Sequence, residues 1–519
     1  MPPLGAGAFF VGEGRAGALL VRRLWGVGSK RGPSDPLGSL YPARRRSMSN
    51  SLPNPVLDLA RSHAQRYLDS LATRHLGAQL GRREMVANLR APFPEEGEPP
   101  AAVIDLLASQ AESGMTACSS PRYFGFVIGG THPVALAADW LVSTWDQNAG
   151  IHAISPFSAA VEEVAAEWIL ELFDLPRESS VGFVTGGQMA NFTCLAAARH
   201  SVLRRVGWDV EADGLASSPP VNIIVGADAH VTIDVALRYL GFGTRTIVRV
   251  DSDDQGRMRA DSLRASMRTL DGPTIICAQA GNVNSGSFDP LQEIAEVAKA
   301  ANAWLHVDSA FGLWARATGS LSSHAAGIEL ADSWATDAHK WLNVPYDSGL
   351  AIVKHAIDHR AAMSSSAAYL IQTEGAERDA IDWVPELSRR ARAIPVYATL
   401  RSLGLRGVAQ LIEGACARAR QIADVLAGEA GIQILNDVVL NQVLVRFDDD
   451  DDMTRAVVVG VQNEGTCWLS GTNWRGEAAM RVSVSNWATS EEDIARSAAS
   501  IIRVYRGLQN SRGRATVSV

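Results

Sequence analysis

The run Trp334-Ala335-Thr336-Asp337-Ala338-His339-Lys340-Trp341-Leu342 places an amine among apolar side chains, directly after a stretch that reads as a core strand. A cation there is costly to bury unless its charge is paired or removed. Forming an imine with an aldehyde is a use for such an amine, with His339 shaping its surroundings. A surface lysine whose stem lies over Trp341 is the alternative. A second apolar strand, Trp304-Leu305-His306-Val307-Asp308, ends on a carboxylate and runs into Ser309-Ala310-Phe311. Asp308 can hold a protonated pyridine nitrogen and so keep a ring able to accept electrons, or it can cap a helix. The clustered hard oxygen ligands that a magnesium ion needs are not evident, so no metal is expected.

Thr185-Gly186-Gly187-Gln188-Met189-Ala190-Asn191 sits between a predicted strand and a predicted helix. Glycines let the backbone approach an anion, the first amides of the helix attract phosphate, and Gln188 can add a side-chain amide. A tight turn that needs small residues accounts for the same pattern. The motif is neither G-x-G-x-x-G nor G-x-x-x-x-G-K-[ST], so the nucleotide-binding fingerprints do not apply. His230, in Ala227-Asp228-Ala229-His230, follows another predicted strand. It can stack on an aromatic cofactor or serve the structure alone.

Such residues act together only if one scaffold gathers them. The middle of the chain alternates between strand-like runs at 181–185, 221–226, 246–250, 274–279, 304–307, 333–336 and 349–353 and helical runs at 189–205, 232–240, 261–270 and 290–301. That alternation predicts an α/β fold with a mostly parallel sheet covered on both faces. Ligands of such sheets bind at the carboxyl ends of the strands, which is where all four motifs fall. A long helical stretch, 392–426, leads into a smaller C-terminal α+β domain with strands at 432–435, 442–447, 467–470 and 479–485 and helices at 453–464 and 490–508. The acidic run 448–452 reads as a solvated turn before a helix. The expected divisions are a flexible arm over 1–50, a helical segment over 51–115, a large ligand-binding domain over 116–390 and a small domain over 391–519.

With 519 residues, 47% of them hydrophobic and 20% charged, the chain is neither a miniprotein nor mostly disordered. A net charge of -8 gives no electrostatic reason to expect nucleic acid or an anionic membrane as a partner. Five scattered cysteines without a CxxC pair suggest a reducing, cytoplasmic setting. No apolar run approaches the roughly 20 residues that span a bilayer, so no membrane partner is expected.

In chain order, Gly186-Gly187, His230, Asp308 and His339-Lys340 resemble the group II pyridoxal-phosphate decarboxylases, which include aromatic-amino-acid, histidine and glutamate decarboxylases. Ser120-Pro121-Arg122-Tyr123-Phe124, the segment Gly281 to Pro290, Asp382-Trp383, Ser388 to Arg392 and Arg481 to Asn486 extend the resemblance from about Pro55 to Leu508. It implies the aspartate-aminotransferase-like fold (fold type I), pyridoxal 5'-phosphate as cofactor, and a homodimer with shared active sites that the N-terminal helices interlock. It further implies Lys340 as the Schiff-base lysine, Asp308 as partner of the pyridine nitrogen and His230 as the ring-stacking residue. Gly187 and Gln188 fall on the phosphate-binding positions, and Asn282, Ala310 and His339 are additional cofactor contacts. Tyr369, in Ala367-Ala368-Tyr369-Leu370, matches a loop tyrosine that returns a proton after CO₂ departs; relatives with Phe there tend to be oxidative aldehyde synthases.

The composition of 363–369 independently suits a loop able to close over a site, or an ordinary surface loop. The expected reaction is decarboxylation of an L-amino acid to its amine. An aromatic substrate is favoured by Tyr123, Phe124, Phe126 and Trp145, although such rings also serve as core. Glutamate, aspartate or an aliphatic amino acid stays open, with Arg122 available to a side-chain carboxylate. So do an aldehyde synthase, another enzyme on the same fold, and a noncatalytic binding protein.

Overall fold

The computed structural model describes residues 54–364 and 377–517. Strands β1 (Ser180–Val184), β2 (Asn222–Gly226), β3 (Val248–Val250), β4 (Thr274–Gln279), β5 (Trp304–Asp308), β6 (Ser333–Asp337) and β7 (Gly349–Val353) form one sheet. Their order is β1-β7-β6-β5-β4-β2-β3. In β1, β4, β5, β6 and β7 every residue is buried, which requires apolar side chains on both faces and explains why these strands lack polar alternation. β7 is antiparallel to β1 and β6, and the remaining pairs are parallel. The sheet is therefore mostly parallel, as the alternating pattern implied.

Register is what places the chemistry. Gln279 lies opposite Asp308 and Asp308 opposite Ala335, so β4, β5 and β6 finish along one edge. Asp337 ends β6 at that same edge.

Helices α1 (Pro55–Ser70), α2 (Arg82–Leu89) and α3 (Pro100–Gly114) bury no residue fully, and Leu76 between the first two packs with Ala117 and Tyr123. α4 (Pro133–Trp145) and α5 (Pro156–Leu172) precede the sheet, and α6 (Gly187–Arg204) lies on it. α6 buries Ala190, Cys194, Ala196, Ala197 and Ala198, small side chains that let a helix approach closely.

A second, antiparallel sheet comprises β8 (Ile432–Ile434), β9 (Gln442–Phe447), β10 (Ser470–Trp474) and β11 (Glu477–Ser483), in the order β10-β11-β9-β8. Met480 and Val482 of this sheet share a core with Val457 and Val461 of the helix Asp451–Glu464 and with Ile494 and Ile501 of the C-terminal helix. One strand departs from expectation: the reading at 467–470 moves to Ser470–Trp474. Arg475 (φ 54) and Gly476 (φ 92) form a two-residue turn that pairs Trp474 with Glu477, so pairing grows from the turn. In the acidic run, Asp450 caps the helix Asp451–Glu464 by accepting from the Met453 amide at 2.7 Å. Among the described residues no helix is long and apolar enough to cross a membrane.

Candidate active site

β5 delivers Asp308, 6% exposed, to the carboxyl edge of the sheet. Its Oδ2 accepts from Asn191 Nδ2 at 3.1 Å and its Oδ1 from the Ala310 amide at 3.2 Å. Asn191 is placed on the first turns of α6. Because its Nδ2 donates to the carboxylate, its Oδ1 must accept, and the group facing it is His306 Nε2 at 2.9 Å. His306 Nδ1 in turn faces Ser333 Oγ at 3.0 Å, which accepts from Trp304 Nε1 at 2.9 Å. The acceptor Oδ1 of Asn191 requires a proton on His306 Nε2, and burial, which holds the ring's pKa down at about 3, keeps it neutral with Nδ1 accepting from Ser333. Trp304, Ser333, His306 and Asn191 thus form a buried relay that fixes the carboxylate.

β6 delivers Lys340 on the short helix Ala338–Trp341. Lys340 Nζ lies 2.9 Å from Asp337 Oδ2 and 6.0 Å from the centre of the Phe311 ring. His339 Nδ1 donates to the Ser348 carbonyl at 2.8 Å, and burial lowers the pKa of its ring. The turn is fixed from outside as well: a Cβ at Gly129 would lie 2.0 Å from the Lys340 carbonyl oxygen, so only glycine permits that approach.

α6 begins at Gly186 without any side-chain cap, which leaves its first amides available to an anion. His230 caps the helix Val231–Tyr239. Its Nδ1 sits 2.8 Å from Thr232 Oγ1 and accepts the Thr232 amide at 3.4 Å, so the neutral ring carries its proton on Nε2. Burial lowers its pKa, against the pull of the Asp308 charge.

These elements enclose a cavity of about 150 Å³. Of the residues expected from sequence, Gly187, Gln188, His230, Asp308, Ala310, His339 and Lys340 line it together. Asn282 does not. Its Nδ2 donates to the Asp228 carbonyl at 3.1 Å and its Oδ1 accepts from the amides of Asn284 and Ser285, so it shapes the loop whose Gly281 and Val283 form the wall. Tyr369 lies outside the described residues. Asn191, Thr232, Gln279, Phe311 and Asp337 complete the lining without having been expected to. Asp337 stood inside the lysine motif, and an acid three residues before a half-buried lysine was the signal available.

A family model described as the pyridoxal-dependent decarboxylase conserved domain matches residues 83–448. The chain is 26% identical over 419 residues to the aromatic-L-amino-acid decarboxylase of Bacillus atrophaeus, covering 78% of this chain and 85% of that one. It is 28% identical over 456 residues to the L-2,4-diaminobutyrate decarboxylase of Rhizobium meliloti (strain 1021), covering 84% and 88%. Its fold is similar to that of Oryza sativa TDC crystallised with PLP and tryptamine, with a TM-score of 0.82 at 22% identity over 89% of this chain and 100% of that one.

Pyridoxal 5'-phosphate is the cofactor, and the cavity's donor set fits it. A lysine suits the aldehyde, a buried carboxylate suits a ring N–H, and an uncapped helix start suits a phosphate. The chain belongs to the pyridoxal-dependent decarboxylase family, as an amino-acid carboxy-lyase on the aspartate-aminotransferase-like fold.

Proposed function

We propose that this chain removes CO₂ from an aromatic L-amino acid and releases the amine. In this reading Lys340 links the cofactor, Asp308 holds its ring nitrogen, the α6 start at Gly187 and Gln188 holds its phosphate, and His230 lies against its ring. The observation that carries the aromatic choice is Phe126. This ring is 54% exposed, stacks on Trp468 at 6.0 Å, and belongs to the loop whose Gly129 is packed on Lys340. Tyr123 and Phe124 are buried and serve as core behind it, and Trp145 packs edge-on against Phe157. Arg122 is withdrawn as an anchor for acidic substrates. Its buried guanidinium donates to the carbonyls of Thr466 at 2.7 Å and Ala72 at 2.8 Å.

Arg481 favours a second reading, a substrate with a side-chain carboxylate. Its Nε is buried without a hydrogen-bond partner, and its Nη1 donates at 3.1 Å to Val283, a residue of the cavity wall. Burial lowers its pKa to about 10.

When bound, the cofactor supplies a conjugated ring that takes up the electrons of the breaking carbon–carboxylate bond. The protein's part is to hold and to exclude. Asp308, fixed by Asn191 and the Ala310 amide, keeps its carboxylate as acceptor for the ring N–H. Lys340, with its amine 2.9 Å from Asp337 Oδ2, would be the residue that holds the cofactor's aldehyde carbon. Neutral His230 adds no positive charge beside the reacting carbon. The Tyr369 phenol is the proposed donor of the proton that replaces CO₂ on Cα.

A homodimer fits the apolar cavity of about 480 Å³ lined by Leu68, Leu71, Leu136, Trp140 and Trp487. Trp140 and Trp487 are each 42% exposed, an apolar surface of the kind a second copy covers. Five free thiols, four of them buried, support a cytoplasmic location.

The test is an amino-acid panel offered to the cofactor-loaded protein, with CO₂, amine, aldehyde and peroxide measured together. Equal amine and CO₂ from aromatic amino acids, without oxygen uptake, is the expected outcome. Turnover confined to acidic amino acids would replace it by the second reading, and aldehyde with peroxide would make the chain an oxidative enzyme.

A further inference from the structure

Asp337 is 2% exposed and stands at the first position before the helix Ala338–Trp341, where an aspartate ordinarily accepts hydrogen bonds from the next backbone amides. It makes no such bond. Its Oδ2 reaches Lys340 Nζ at 2.9 Å, and its Oδ1 is buried without a hydrogen-bond partner, 3.6 Å from His339 Nδ1. Room for the carboxylate comes from α6: a Cβ at Gly187 would lie 2.7 Å from Oδ2. A buried carboxylate is costly unless it is paired, so its placement is accounted for by the amine it meets.

We propose that Asp337 is a positioning residue that holds the Lys340 amine whenever the lysine is not linked to the cofactor. The inference rests on the reading of Lys340 as the linking residue. In the exchange, the substrate nitrogen bonds to the aldehyde carbon as the bond from that carbon to Lys340 breaks, and one proton passes from the substrate nitrogen to the lysine nitrogen. The freed amine then has a carboxylate acceptor at hydrogen-bond distance and stays docked beside the carbon it must attack again, which keeps its return intramolecular. His339 shares the turn with Lys340, and both His339 and His230 feel the charges of Asp337 and Lys340, with Asp308 and Arg481 also acting on His230 and Asp347 on His339.

The experiment strips the cofactor, adds pyridoxal 5'-phosphate at one fixed pH, and follows the growth of the visible absorbance of the lysine-linked cofactor. In Asp337→Ala and Asp337→Ser, which take the acceptor out of reach of the amine, linkage is slower by about tenfold or more. Asp337→Asn keeps an acceptor oxygen at that place and is slowed less. Rates unchanged in the first two variants, or equal slowing in all three, would overturn the proposal and leave Asp337 a structural residue. An unaltered protein that never develops the band would overturn the Lys340 reading and this inference with it, so the two failures are distinguishable.

Discussion

Asp308 is held by hydrogen bonds whose directions follow from one neutral histidine, and that dependence has a measurable consequence. Asn191→Ala removes the donor at 3.1 Å and leaves both a looser carboxylate and an unpaired His306 N–H. Steady-state assay of the loaded variant is expected to show kcat/KM lower by about tenfold or more, roughly 1.4 kcal/mol of transition-state stabilisation. Asp308→Asn, which removes the charge itself, is expected to cost on the order of a hundredfold or more. Equal activity in either variant would remove the proposed ring-nitrogen contact. Lys340, Asp308, His230 and Gly187 could be placed at the cavity from sequence because each lies at or just beyond the carboxyl end of a strand, the position at which such sheets bind ligands. Asn191 and His306 could not, since their pairing exists only where α6 crosses β5. The surroundings of Arg122 were hidden for the complementary reason. Its motif is visible in the sequence, but the carbonyls of Ala72 and Thr466 that engage its Nη1 and Nε come from distant segments.

The strands and helices of the large sheet were readable because apolar runs of five or six residues alternate with helical periodicity. β10 was not, because Gly471 and Asn473 are poor strand formers and its place is set by the Arg475-Gly476 turn. The helix Ala393–Ala427 shows a subtler departure. Helical spacing runs through it, yet Gly404 adopts φ 61 and ψ -179, a conformation nearly confined to glycine, and breaks it in two. A Cβ there meets nothing within 4 Å, so the cost of substitution is backbone strain alone. Gly404→Ala is expected to destabilise the protein by about 1–3 kcal/mol, read as a lower denaturation midpoint, with the activity of the folded fraction unchanged. A variant as stable as the unaltered chain would show that the break is not enforced.

For the molecule as a whole, two expectations follow from burial. The apolar surface around Trp140 and Trp487 predicts a dimer in sedimentation experiments, and Trp140→Glu is expected to shift it toward monomer; an unaltered protein that sediments as a monomer contradicts the proposed assembly. His306 and His359 are both buried, with pKa values held at about 3. Between that value and the ordinary histidine value the unfolded chain binds protons that the folded chain refuses. Their stabilisation is therefore complete above about pH 6.5 and declines as the pH falls, by about 1.4 kcal/mol per unit for each histidine. The urea midpoint is expected to drop between pH 7 and pH 5, and less so in His359→Gln; identical slopes would exclude His359 as a source. The central claim, that Lys340 carries the cofactor, has the most direct test. Borohydride reduction of the loaded protein, followed by peptide mass spectrometry, is predicted to place the pyridoxyl group on the peptide containing Lys340. Recovery of that group on another lysine, with Lys340 unmodified, would contradict the account.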